Sequence, residues 1–321
     1  MHSFSELSVS FETHFNKRHF PVAPATLYDA AQYILRIGGK RVRPVSVLMA
    51  NELFTDINDD AYYVATAIEL FHNFSLIHDD IMDKAPLRRG METVHTKYGD
   101  STALLAGDVM LVAAYEQINK ISADKLHPIL SLFSKAAKEV CEGQQMDMDF
   151  EKRDAVDIDL YLEMITLKTS VLLAASLQMG AILGGAGAGN QQHLYEFGKN
   201  LGIAFQVQDD YLDAFGDPEK FGKQIGGDIL SNKKTFLLIH AMSVANEIQK
   251  KSLIELMAGN DDNKVEKVLE IFTACKVGEW ASTLKEKYYN IAMKHLEETA
   301  VLNSRKIELE KLAVYLLQRD S

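Results

Sequence analysis

Residues 59–83 read DDAYYVATAIELFHNFSLIHDDIMD, and this stretch decides the fold. Val64, Ile68, Phe71 and Ser75 fall on one face of a helix, with Ala65, His72 and Leu76 beside it. A helix apolar over that much of its surface is buried on more than one side. Outward from it the same spacing recurs nearly everywhere, down to Leu309, Leu312 and Leu316. It predicts helices at 4–18, 25–37, 43–54, 59–83, 101–120, 124–148, 157–185, 191–215, 233–258, 263–275, 278–300 and 304–319. No segment shows strand alternation bounded by turn signals, no Gly-, Ser- or Pro-rich linker divides the chain, and no repeat is visible. The expectation is an all-α protein: a single large helical bundle around a central apolar cavity, with residues 1–321 as one domain.

Composition agrees. Six prolines and 19 glycines in 321 residues are too few for the turns of an all-β fold. Lys and Arg number 34 against 45 Asp and Glu, a net charge of −11, which argues against a nucleic-acid partner. A local cluster of bases can still hold an anion. The two cysteines, Cys141 and Cys275, form no CxxC pair and point to a reducing cytoplasm. Residues 1–20 lack the apolar core of a signal peptide. The most apolar stretch, 171–189, holds Ser176 and Gln178 and dissolves into glycines, so it reads as a buried core helix and no transmembrane segment is expected.

The helix at 59–83 ends in Asp79-Asp80-Ile81-Met82-Asp83, and the pattern returns as Asp209-Asp210-Tyr211-Leu212-Asp213. Positions i and i+4 share a helix face, so Asp79 points with Asp83, and Asp209 with Asp213. Such a pair is mildly destabilising without a counter-ion. One DDxxD alone is a weak signal that a surface charge cluster explains better. Two copies, each following an apolar segment, suggest the mouth of a lined cavity. Hard oxygen donors without His or Cys favour Mg²⁺ or Mn²⁺ over zinc, and Mg²⁺ commonly shares its shell with substrate phosphates.

Basic clusters complete the pattern. They are Lys84 with Arg88-Arg89-Gly90, the run Gly38-Gly39-Lys40-Arg41-Val42-Arg43-Pro44, Lys168-Thr169, and the set Gly222-Lys223, Gly226-Gly227-Asp228 and Asn232-Lys233-Lys234. Each alone reads equally well as a charged loop. Lys168 weighs more, because a lysine in an apolar helix is costly unless paired. Pro44, Pro86 and Pro218 sit beside these clusters, where a helix is expected to stop and a loop to close. Carboxylates, bases and an apolar interior together suit a substrate with a diphosphate head and a hydrocarbon tail.

The motifs GGKRVRP (38–44), DDIMDKAPLRRG (79–90), EGQQMD (142–147), KTS (168–170), FQVQDDYLD (205–213), GK (222–223), GGD (226–228) and NKKT (232–235) resemble those of the trans-isoprenyl diphosphate synthases, or polyprenyl synthetases, in order and spacing. The resemblance implies an isoprenoid synthase-like fold and an enzyme joining allylic diphosphates (dimethylallyl, geranyl or farnesyl) to isopentenyl diphosphate. It implies a homodimer and three Mg²⁺ per active site, held by Asp79 and Asp83 from one wall and Asp209 from the other. Asp80, Asp210, Asp213 and Asp228 would act directly or through water. Arg88, Lys168 and Lys223 would hold the allylic diphosphate, and Lys40, Arg43, His72 and Arg89 isopentenyl diphosphate. Thr169 and Gln206 would face the developing carbocation, and Lys233 would support the metal–diphosphate end. A lone His on an apolar face is usually a core residue, but His72 lies two turns before Asp79 on the same side. In this family the residues before the first DDxxD limit product length. Phe74 with Ser75 beside it resembles the C20 pattern, so geranylgeranyl diphosphate is preferred and farnesyl diphosphate second.

Three rival readings fit the sequence less well. A terpene cyclase lacks the second basic site, which Lys40 and Arg43 supply. A non-catalytic partner subunit would have lost aspartates, and all six remain. A di-iron bundle draws its ligands from Glu and from Glu-x-x-His pairs facing inward; that spacing occurs at Glu69–His72 and Glu92–His95, but it leaves both DDxxD motifs without a role.

Overall fold

The computed structural model describes residues 1–153, 155–216, 225–259 and 261–318. Among them the regular structure is helical, as expected, apart from one two-residue hairpin. The chain divides into one unit of residues 1–137, 175–195 and 299–308 and another of 138–174, 196–298 and 309–321.

The first unit is built on α4, Asp59–Met82. Asn58 caps it by accepting the Ala61 N–H, and Asp59 and Asp60 sit in the first turn, where the helix dipole favours negative charge. Val64, Ile68, Leu70, Phe71 and Ile77 are buried around its circumference, and so is Glu69. Before it come α1 (Phe4–Phe15), α2 (Ala25–Ile37) and α3 (Val42–Glu52). After it come β1 (Leu87–Arg88), β2 (Met91–Glu92), a short α5 (Val94–Tyr98) and α6 (Asp100–Ile118). α4 and α6 run antiparallel: Asp60 near the start of α4 accepts Ser122 N–H and O–H just past α6, while His78 near its end meets Leu104 early in α6.

The hairpin was not expected, because two-residue strands are too short to alternate visibly. Arg89 (φ 53°) and Gly90 (φ 76°) are both left-handed, the pattern of a type I′ turn. Pro44 also departs from expectation. It lies in the first turn of α3, where a missing N–H costs nothing, so it opens a helix rather than closing a loop.

The second unit contains the end of α7 (Ala123–Glu151), α8 (Ile158–Ile165), a π-helical segment (Thr166–Ser170), the start of α9 (Val171–Leu183) and most of α10 (Ala188–Phe215). It continues through α11 (Gly227–Leu230), α12 (Phe236–Val244), α13 (Glu247–Ala258), α14 (Lys264–Ala274) and α15 (Val277–Glu298), and resumes at residue 309 within α16 (Asn303–Leu317). Phe150, Tyr161, Val207, Phe236, Val268 and Phe272 belong to one core. The helix expected over 157–185 is interrupted by the π segment. Two glycines grip it: a Cβ on Gly143 of α7 would lie 2.2 Å from Lys168 N, and one on Gly202 of α10 2.8 Å from Ser170 Cα. The helix expected over 233–258 breaks at Ala245, because Asn246 and Gln249 form a capping box that starts a new helix. Residues 158–183 are long and apolar enough to cross a membrane, but 61% of the most apolar window is buried in the protein, as in a core helix.

Candidate functional site

Both DDxxD motifs occupy the last turns of their helices, α4 ending at Met82 and α10 at Phe215. That is the negative end of the helix dipole, where each carboxylate costs about 0.3–1 kcal/mol. Stability alone would not choose this arrangement.

In the first unit Asp83 is the C-cap of α4, and its backbone N–H returns to Asp79 O. Asp80 is 2% exposed and points elsewhere. It accepts a fork from Arg88, whose Nε lies 2.9 Å and Nη2 2.7 Å from its two oxygens. Burial works against the charge of Arg88, but Asp80, Asp79 and Asp83 more than offset it and raise its pKa above the ordinary value. The hairpin turn lays the Arg89 guanidinium over Gly39, where a Cβ would meet Nη1 at 2.8 Å. Arg43 Nη1 lies 3.3 Å from His72 Nε2. The structure thus gathers Arg43, His72 and Arg89 around the Gly38-Gly39-Lys40 loop. Desolvation, then the charges of Arg43, Arg89, Arg88 and Arg41, push His72 well below the usual histidine range, so it is neutral. Crowded cations around a neutral imidazole would suit an anion.

His72 sets a pH dependence. Its folded pKa lies below the unfolded value of 6.5, so below that pH the unfolded chain binds the extra proton. Stability is fully present above about pH 6.5 and falls as pH drops, by up to about 1.4 kcal/mol per unit. Asp210, held up at about 8, contributes a slope of the opposite sign over the same range, so the His72 slope is expected in the difference between wild type and His72→Gln in urea titrations from pH 7 to 5. An equal slope in both proteins contradicts the assignment.

Arg41 was missed. It is left-handed (φ 52°) and 7% exposed. Its Nε donates to Glu12 Oε1 at 2.6 Å, its Nη1 to Glu69, and its Nη2 to Leu35 O at 3.3 Å. It pins the basic loop to α1, α2 and α4. The signal was Glu69, an acid inside an apolar run that demanded a partner.

In the second unit a cavity of about 110 Å³ is lined by Asp147, Lys168, Thr169, Gln206, Asp210, Asp228 and Lys233, with Phe150, Met164 and Ile165 as apolar wall. Lys168 is indeed paired, its Nζ 2.6 Å from Asp147 Oδ2. Thr169 Oγ1 donates to Gln206 Oε1 at 3.2 Å, and Gln206 Nε2 to Asp210 Oδ1 at 2.8 Å. Tyr161 donates to the other Asp210 oxygen. Burial, then the charge of Asp228, push Asp210 up to about 8, while the Tyr161 and Gln206 donors work the other way. Asp213 Oδ2 accepts the Asp228 backbone N–H at 2.9 Å, fixing the turn that carries Asp228. Lys233 Nζ is 3.9 Å from Asp228 Oδ1. Lys234 donates to Phe150 O at 2.8 Å and so closes the end of α7. Lys223 and Pro218 lie outside the described residues. Mutual repulsion among Asp209, Asp210 and Asp228, all oxygen donors, is what a divalent cation would relieve, so the residues fit Mg²⁺.

Comparison with known proteins agrees. Residues 24–275 match the polyprenyl synthetase family model. A short chain isoprenyl diphosphate synthase of Methanocaldococcus jannaschii is 43% identical over 78% of this chain and 76% of its own. A geranylfarnesyl diphosphate synthase of Aeropyrum pernix is 34% identical over 95% of this chain and 98% of its own. The crystal structure of a geranylgeranyl pyrophosphate synthase superposes with a TM-score of 0.95 at 43% identity, covering 100% of both chains. With its two DDxxD helix ends, its cationic loop and these matches, the chain belongs to the polyprenyl synthetase family, the trans-isoprenyl diphosphate synthases.

Proposed function

We propose that this prenyltransferase condenses isopentenyl diphosphate head to tail with allylic diphosphates, making geranylgeranyl diphosphate as main product and farnesyl diphosphate as second choice. The observation that carries the reading is the placement of both DDxxD motifs at the unfavourable ends of their helices. Binding, not stability, accounts for it. Lys40, Arg43 and Arg89, around neutral His72, hold isopentenyl diphosphate. Lys168, Lys223 and Arg88 hold the allylic diphosphate, and Lys233 supports that end. Asp79, Asp83, Asp209 and Asp228 ligate Mg²⁺. Asp80 contributes by holding Arg88, and Asp213 by holding the Asp228 turn.

When bound, Mg²⁺ neutralises the diphosphate and makes it a good leaving group. The allylic C–O bond breaks to a delocalised cation, the alkene attacks it, and the departing diphosphate takes the proton. Gln206 and Thr169 turn the negative ends of their dipoles toward the cation. Phe150, Met164 and Ile165 keep water from quenching it. No side-chain nucleophile is required. The setting is a cytoplasmic one, consistent with free Cys141 and Cys275. The assembly is a homodimer of chains acting as single catalytic domains, consistent with exposed Leu104, Leu105 and Val112 on α6.

The test is product analysis: the protein, isopentenyl diphosphate, each allylic primer and Mg²⁺, with the prenols sized after dephosphorylation. Absence of condensation with every primer sinks the enzyme reading. A dominant C15 or C25 product sinks only the chain length. Phe74 supports C20: it is 8% exposed, and its ring lies 4.7 Å from His78 and 5.4 Å from Phe71. Phe74→Ala is expected to lengthen the main product by at least one isoprene unit. If Phe74 merely packs the core, the variant loses about 3–5 kcal/mol and its product is unchanged.

A further inference from the structure

Tyr161 has no role in the reaction as described above, yet it touches the centre of it. It is 4% exposed, and its ring packs 6.1 Å from that of Phe236. Its hydroxyl meets one oxygen of Asp210, itself 6% exposed. The other Asp210 oxygen receives Gln206 Nε2 at 2.8 Å, and Gln206 Oε1 receives Thr169 Oγ1 at 3.2 Å. Four side chains from α8, the π segment and α10 therefore form one hydrogen-bonded chain.

The chain has a direction. An amide NH₂ only donates and an amide oxygen only accepts. The Thr169 hydroxyl can donate or accept, so the orientation is set by Asp210, whose carboxylate, when ionised, only accepts and so leaves the Gln206 carbonyl facing Thr169 at the cavity wall. A free amide would turn either way, and half its orientations would present N–H to a cation. The lock on Gln206 is Asp210, and the lock on Asp210 is Tyr161. Both oxygens of Asp210 are then engaged by protein donors.

We propose that Tyr161 and Asp210 are positioning residues that hold the Gln206 carbonyl toward the reacting allylic carbon, with Asp210 serving as an anchor rather than a metal ligand. This rests on the proposed condensation and adds what orients its cation-facing dipole. The sequence carries the signal only in hindsight: Tyr161 is seven residues before Lys168, and the π segment between them upsets any count of helix faces.

The test is a double-mutant cycle on the full chain. Tyr161→Phe is expected to lower kcat about tenfold, the loss of one hydrogen bond to a buried acid, with KM for both substrates within about twofold. In a Gln206→Leu background the same change is expected to add no more than about twofold, because nothing remains to orient. Calorimetric titration with Mg²⁺ and pyrophosphate is expected to give the same affinity in Tyr161→Phe as in wild type. Fluorescence of Trp280, whose ring is 5.6 Å from Phe236, reports whether the surrounding packing is intact. Should Tyr161→Phe fail to fold, Asp210→Ala removes the same join and is expected to show the same coupling. Losses that multiply, or a tenfold weaker Mg²⁺–pyrophosphate affinity, overturn the proposal. A wild type that makes no prenyl diphosphate overturns the proposed reaction and this role with it. An active wild type with multiplying losses overturns this role alone.

Discussion

Asp83→Asn is expected to lower kcat about a thousandfold while changing the stability of the fold by less than about 1 kcal/mol. The stability contributions nearly cancel, because the charge of Asp83 favours Arg88 but opposes Asp79 and the helix dipole. Asp83 caps the C-terminal end of α4, four residues after Asp79. Removing its charge relieves a like-charge pair worth about 0.2–0.5 kcal/mol and an unfavourable dipole contact of about 0.3–1 kcal/mol. Asparagine also suits a helix C-terminus. Arg88 keeps its fork on Asp80, so its loop stays in place. Turnover, by contrast, loses a charged ligand to the cation that stabilises the leaving diphosphate, about 4 kcal/mol by analogy with other oriented electrostatic groups. Steady-state kinetics over a range of Mg²⁺ and a thermal melt of the metal-free protein decide it. Retained kcat removes Asp83 from the ligand set. A melt several degrees lower makes Asp83 a structural residue.

Such wrong-end carboxylates were legible in the sequence because they conflict with what a helix wants. So was Lys168, a base in an apolar run that required a partner. The partner was not legible. Asp147 lies in a different helix, and its motif gave no reason to choose it over Glu142. Arg41 was hidden in a cluster of bases that all look alike. What separates it from Lys40 and Arg43 is a left-handed backbone and the buried Glu69, and neither follows from charge or spacing. Helix periodicity found most elements but treated 157–185 as uniform. A π segment adds a residue to one turn without changing composition, so hydropathy passes over it. The break at Ala245 was readable, since Asn246-x-x-Gln249 is a local capping signal that a continuous apolar pattern masked. Phe74 was placed by its distance from Asp79, but its contact with His78 depends on two neighbouring turns of the same helix.

Gly143→Ala tests the π segment directly, and about a hundredfold loss of kcat is expected from one methyl group. Gly143 is buried in α7, where alanine would ordinarily gain up to about 1 kcal/mol of helix propensity. Here its Cβ would stand 2.2 Å from Lys168 N, 2.7 Å from Lys168 Cα and 2.8 Å from Leu167 C. These are backbone atoms, and no rotamer change moves them aside. Either α7 or the π segment must shift by about 1 Å, at a strain cost of about 1–3 kcal/mol. Lys168 and Thr169 sit on the segment that moves, and Asp147 sits one turn along the helix that pushes. A displacement of that size costs about a hundredfold in rate when it falls on groups that orient a substrate. Gly189 supplies the control. It lies in the first turn of α10 with nothing within 4 Å of its would-be Cβ, so alanine there is expected to stabilise slightly, by up to about 0.5 kcal/mol, and leave turnover alone. Melting curves and kcat for the two variants should therefore move in opposite directions. If Gly143→Ala keeps its activity, the grip of α7 on the π segment does not position Lys168, and the close approach is packing without a catalytic consequence.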